Sequence, residues 1–146
     1  MADLSDIARL VPGEHGLATV SLSLADGTVH TSVVNAGVLD HPVTGERVVG
    51  LVVRGGSYKH KRVRVDPRLT VLFRVSWDWA AVAGSVEIIG PDDELEGFDP
   101  SGVPQLLRNV FIAAGGTHDD WDEYDRVMAE ERRTALLVTP SRYFGN

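Results

Sequence analysis

Residues Arg54 to Arg68, read as Arg-Gly-Gly-Ser-Tyr-Lys-His-Lys-Arg-Val-Arg-Val-Asp-Pro-Arg, concentrate the groups of this chain that could grip an anion. Two glycines let the backbone turn sharply and come close to a ligand. Hydroxyl, ammonium, imidazole and guanidinium donors follow within a few positions. Gly55, Gly56, Ser57 and Lys59, beside free backbone N–H groups, suit an anionic oxygen cluster, most often a phosphate. The competing reading of Ser57 and Lys59 is a solvated charged turn. Arg64 and Arg68 lie near Asp66 and read better as salt-bridge or rim residues. His60 could donate to a phosphate or a substrate, although an exposed loop histidine is the commoner case.

Other candidate chemistry is sparse. Trp77 and Trp79, two positions apart, share one face if they lie on a strand, which suits either packing or contact with a flat ligand. His118, Asp119, Asp120 and Asp122 could be read as a metal site, but helix capping explains the acids more simply, so no metal is expected. There is no nucleophile-elbow pattern, no Walker motif and no GxGxxG, and no catalytic side chain is assigned.

Composition narrows the partners. The chain has 146 residues, 43% hydrophobic and 24% charged, as one soluble domain spanning 1–146 would have. Cysteine is absent, which excludes disulfides and thiolate metal sites and fits a cytoplasmic setting. No apolar run approaches the roughly 20 residues of a membrane helix, and no signal peptide is visible, so no membrane partner is expected. The formal charge is −7, yet the stretch 54–74 holds 7 of the 14 Lys and Arg residues against the single acid Asp66. A confined positive patch on an acidic protein suits one small anionic ligand better than nucleic acid.

The elements that must position these groups follow from periodicity. Asp3 to Leu10 reads as a short helix ended by Pro12-Gly13. Leu17 to Leu24 alternates as a half-buried strand, Ala25-Asp26-Gly27 is a hairpin turn, and Thr28 to Asn35 returns. Val38 to Glu46 reads as a loop and Arg47 to Val53 as the third strand. A short helix within Gly55–Arg64 would end at Asp66-Pro67. Arg68 to Ser76 and Trp77 to Ile89 are strands, the latter bent or bulged at Gly84. Pro104 opens a helix with Leu106, Leu107, Val110, Phe111 and Ala114 on its apolar face, and Gly115-Gly116 stops it. Thr117 with Asp120 suggests a capping box for a helix from His118 to Arg133, striped by Trp121, Tyr124 and Met128. Ala135 to Val138 reads as a closing strand. The sum is mainly β with peripheral helices: about six antiparallel strands in a small barrel or strongly bent sheet.

Four segments resemble a known family. They are Gly55 to Arg64 running into Asp66-Pro67-Arg68; Trp77 to Gly84 followed by Glu87 to Asp93; Gly116 to Tyr124; and Glu131-Arg132-Arg133 with Val138 to Tyr143. In order and spacing they cover nearly the whole chain. Together they resemble the split β-barrel flavin and deazaflavin oxidoreductases of pyridoxamine-phosphate-oxidase-like, FMN-binding fold, in particular the actinobacterial branch that uses coenzyme F420.

The resemblance implies a homodimer with two cofactor sites at the subunit interface, and hydride transfer from the reduced deazaflavin to a small unsaturated or conjugated substrate. It implies that Ser57 and Lys59 bind the cofactor phosphate, behind Gly55 and Gly56, with either Lys61 or Arg62 adding charge. Ser32, Val34 and Asn35 would flank the ring. Trp77 and Trp79 would lie near the cofactor of the neighbouring subunit. The oligoglutamate tail of the deazaflavin would favour further basic residues such as Arg54 or Arg62 along an open groove. The alternatives are an FMN-binding oxidoreductase of the same fold and a non-catalytic F420 carrier. The Arg-rich C-terminal motif of true pyridoxamine-phosphate oxidases is not apparent, which argues against that activity.

Overall fold

The alternation that begins at Leu17 continues through six strands, and each buries every second side chain in a common interior. The computed structural model describes residues 2–146. Strands β1 (Leu17–Ser23), β2 (Val29–Asp40), β3 (Arg47–Val53), β4 (Arg68–Val75), β5 (Asp78–Ile89) and β6 (Thr134–Gly145) form a closed antiparallel barrel in the order β1-β2-β3-β6-β5-β4. Ala18, Val20 and Leu22 of β1 meet Leu69, Val71 and Phe73 of β4 inside it, all buried. At about 1.5–3 kcal/mol for each large side chain removed from water, this interior is the main source of stability.

Two short helices close the ends. Helix α1 (Leu4–Leu10) inserts Ile7 and Leu10 into the interior, and its Arg9 reaches Asp78 at the start of β5. Asp3 caps it, as its side chain accepts from the Ser5 and Asp6 N–H groups. Helix α2 (Tyr58–Val65) inserts Val63 at the opposite end, where Arg62 donates to the Ser23 carbonyl at the close of β1. Helices α3 (Val103–Ala113) and α4 (Trp121–Glu130) cover part of the outer wall. Leu106, Leu107, Val110 and Tyr124 pack there on Leu39, Val48, Ala135 and Leu137.

Four features differ from the sequence expectation, the first two through strand pairing and the last two through local capping and turn geometry. Val38 to Asp40 belong to β2, because Leu39 pairs with Val48 and Asp40 with Arg47; the loop is only His41 to Glu46. Strand β6 runs on to Gly145, since Arg142 to Gly145 pair with Ala83 to Ala80 of β5, and Pro140 falls at the irregularity between the two halves. Helix α4 starts at Trp121, and its N-cap is Asp120, which accepts from the Glu123 N–H; Thr117 lies outside it. Trp77 sits in the tight β4–β5 turn beside Ser76, whose φ is +55°, so Trp77 and Trp79 do not lie on one strand face.

Strand β2 changes partner along its length. Residues 29–35 pair with β1, and residues 36–40 pair with β3. The barrel therefore opens between the first half of β2 and the end of β3.

The expected bulge at Gly84 is present, as the β5–β6 register shifts between Ala83 and Gly84. A Cβ added at Gly84 would overlap the Thr139 carbonyl. Gly84→Ala should therefore destabilise the protein by about 1–3 kcal/mol, the scale of overpacking a tight site. Urea denaturation checks this; an unchanged midpoint would contradict it.

Candidate functional site

The opening between β2 and β3 is a cleft of about 500 Å³, within the usual size range of small-ligand pockets. Val33, Val34 and Asn35 of β2 form one wall, and Val52, Val53 and Arg54 at the end of β3 form another. Ser57 and Lys59 come from the turn into α2. Val110, Phe111 and Ala114 from α3, Tyr124 and Met128 from α4, and Arg133 from the turn before β6 complete the lining. Three cations thus face a cleft with no Asp or Glu in its lining.

The turn has a simple local cause. The Ser57 N–H donates to the Arg54 carbonyl at 3.1 Å, closing a four-residue turn with Gly56 at φ +75°. Gly56 is there for conformation, because a Cβ would meet nothing within 4 Å. Gly55 is there for space, because a Cβ would strike the Arg132 carbonyl. Ser57 then caps α2 by accepting from the His60 N–H at 3.4 Å. Its hydroxyl proton is left to donate, and the positive end of the helix dipole lies beside it.

Lys59 reaches across the opening, and its ammonium donates to the Ser32 hydroxyl at 2.9 Å. Among the described residues neither Lys59 nor Arg54 is paired with a carboxylate, and Arg133 pairs with Glu131 at 3.1 Å. Burial raises the Tyr124 phenol above its ordinary pKa, and its hydroxyl donates to the Leu107 carbonyl. Tyr124 thus presents an apolar wall, with Phe111 tilted against it and Trp121 edge-on to it.

The structure brings Val34, Asn35, Arg54, Ser57 and Lys59 to one cleft, with Ser32 tied to Lys59 and Gly55-Gly56 shaping the turn. It does not bring Lys61, Arg62, Trp77 or Trp79 there. Arg62 turns to the Ser23 carbonyl at 2.6 Å, and Lys61 is exposed outside the lining. Trp77, 87% exposed, and Trp79 line a separate hollow with Leu72, Arg74 and Ser76 on the outer barrel face. The sequence reading missed Arg133 and assigned Val110, Phe111, Tyr124 and Met128 only to helix faces. Their helical spacing was visible; nothing in it says that the face continues past the core into a cavity.

Behind the turn, two aspartates join α2, the loop after β5 and the turn before β6. Asp93 accepts a bidentate pair of bonds from Arg64 at 2.9 and 2.7 Å, and its Oδ1 lies 2.7 Å from the His60 ring. Asp92 is held by Arg132. Arg64, then His60, keep the Asp93 carboxyl below the usual carboxylate range. Because the folded value is depressed, this stabilisation is complete above the ordinary pKa of about 4 and is lost as pH falls through the folded value. Asp93→Asn should lower the Tm at neutral pH, and the gap from wild type should narrow as pH drops below about 4. Thermal melts of both proteins across pH check this; a gap independent of pH would contradict it.

No protein-family model matches the chain. Solved structures share its architecture. A conserved hypothetical protein from Mycobacterium tuberculosis superimposes with a TM-score of 0.70 at 18% identity, over 99% of this chain and 84% of its own. A pyridoxamine 5'-phosphate oxidase-related, FMN binding protein from Nostoc punctiforme gives 0.65 at 11% identity, over 98% and 84%. An F420 reductase gives 0.58 at 14% identity, over 88% of each chain. Likeness at these identities concerns the fold, and the fold of this chain is the split β-barrel of the pyridoxamine-phosphate-oxidase-like, FMN-binding type.

Proposed function

We propose that the cleft between β2 and β3 holds a phosphorylated flavin-type cofactor, and that the protein is an F420-dependent reductase of a small conjugated substrate. The observation that supports this most is the pairing of uncompensated cations with an apolar wall in one cleft. Arg54, Ser57, Lys59 and Arg133 offer charge-assisted bonds to a phosphate, which are stronger than neutral ones. Val34, Val52, Val53, Phe111 and Met128 exclude water from a flat ring. When bound, a reduced deazaflavin supplies the hydride, so the protein needs to bind and orient rather than to provide a nucleophile.

The first half of β2 and the start of β1 carry exposed apolar side chains next to the cleft, Val29 (62% exposed), Val33 (66%) and Leu17 (45%), and Trp77 is exposed in the β4–β5 turn. Exposed apolar patches of this kind suit a protein interface. On this reading a second copy packs there, and its Trp77 and Trp79 close the cleft from outside. FMN is the second reading, since the phosphate grip suits both cofactors and a neighbour of the same fold is an FMN binding protein.

Fluorescence titration with coenzyme F420 and with FMN tests the choice. Tight binding of F420 is expected; binding of FMN alone would move the assignment to FMN, and binding of neither would remove it. Oxidation of the reduced cofactor on addition of enones or quinones separates a reductase from a carrier. Lys59→Ala should weaken binding by about 1–3 kcal/mol, the scale of a charged hydrogen bond. Leu17→Glu should convert a dimer into monomers by sedimentation equilibrium; a wild-type protein that is already monomeric would end the interface reading.

A further inference from the structure

His60 is the most buried charged or ionisable side chain near the cleft, at 1% exposure, and it is not itself one of the residues that line the cleft. The sequence suggested either an exposed loop histidine or a ligand donor; the structure makes it neither. Both ring nitrogens are engaged. Nδ1 accepts from the Gly56 N–H at 2.9 Å, and Nε2 lies 2.7 Å from Asp93 Oδ1. An acceptor at Nδ1 fixes the tautomer, so the proton is on Nε2 and is donated to the carboxylate. Asp93 is itself clamped by Arg64 from the same helix, one turn on.

From these contacts we infer that His60 is a positioning residue that holds the Gly55-Gly56 turn in the shape presenting Ser57 and Lys59 to an anion. The inference rests on the phosphate reading above but concerns a residue outside the cleft. Gly56 is exposed, has positive φ and has nothing around its Cα hydrogens, so packing does not hold it. Its amide would otherwise be free to turn toward solvent. The bond to His60 ties the third residue of the turn to the first turn of α2, while the Ser57 cap ties the fourth. The two bonds together fix where the Ser57 hydroxyl and the Lys59 stem leave the backbone. A ligand then meets a turn that is already ordered, and the ordering cost is not taken from its affinity.

Two substitutions separate the halves of this link. In His60→Asn the side-chain oxygen falls where Nδ1 was, so the bond from Gly56 is kept and the one to Asp93 is lost. In His60→Gln the amide nitrogen falls where Nε2 was, so the bond to Asp93 is kept and the one from Gly56 is lost. The readout is the affinity ratio of the phosphorylated cofactor to its phosphate-free analogue, F420 to deazariboflavin or FMN to riboflavin according to which cofactor the wild type binds. His60→Gln should lower that ratio about tenfold, as loss of one positioned charged bond would, and His60→Asn should leave it near wild type. An unchanged ratio in His60→Gln, or an equal fall in both, would overturn the inference. Exchange of the Gly56 amide, followed by NMR, tests the link without a ligand. It should be protected in wild type and His60→Asn and fast in His60→Gln; fast exchange in wild type would overturn the inference outright. A wild-type protein that binds neither F420 nor FMN but protects Gly56 would sink only the cofactor reading.

Discussion

Strand β2 and strand β3 pair over only part of their lengths, and the cleft lies where they part. Seven consecutive residues, Val29 to Asn35, pair with β1, whereas β3 receives only Ala36 to Asp40. The last residues of β3 therefore part from β2 and leave backbone and side chains that need other partners. Water, a ligand or a bridging side chain must satisfy them. Lys59 supplies part of the answer by spanning the gap to Ser32. The α3 and α4 helices roof the gap with the apolar surfaces of Phe111, Tyr124 and Met128, which cover it without hydrogen-bonding to it.

The charge distribution is consistent with this arrangement. Three of the seven basic residues of the 54–74 stretch have an acidic partner close by: Arg64 has Asp93, and Asp66 serves both Arg68 and, at 3.8 Å, Arg62, which also donates to the Ser23 carbonyl. Arg68 and the Ser23 hydroxyl together hold the Asp66 carboxyl far below the usual range. What reads in sequence as one cationic patch divides in space into a structural part and a part left over. Of the four left without a carboxylate partner among the described residues, Arg54 and Lys59 face the cleft while Lys61 and Arg74 lie outside it. Arg133, paired with Glu131, joins the cleft from the far end of the chain. In a low-dielectric cleft such cations favour an anion more than they would on an open surface.

The two aspartate pairs behind the turn also link the cleft to the stability of the fold. The Asp92–Arg132 and Asp93–Arg64 pairs tie the loop after β5 to the turn before β6 and to α2. Gly55, packed against the Arg132 carbonyl, brings the anion turn to that point. Arg132 and Arg133 are neighbours, one pairing with Asp92 and the other lining the cleft, so the position of the third cation depends on the second aspartate pair.

The residues themselves determined the barrel class, the Gly55-Gly56 turn and most element positions. Alternation from Leu17, the Asp26-Gly27 turn, the Gly84 bulge and the Ser57-capped helix are local patterns, and local patterns are carried by dihedral preference and burial of every second side chain. The tertiary structure alone decided the length of β6, the division of β2 between two partners, the burial of His60 and the arrival of Arg133 in the cleft. Each of these depends on pairing between residues far apart in the chain. Arg142 is strand only because β5 lies beside it, and His60 is buried only because Asp93 meets it from 33 positions away.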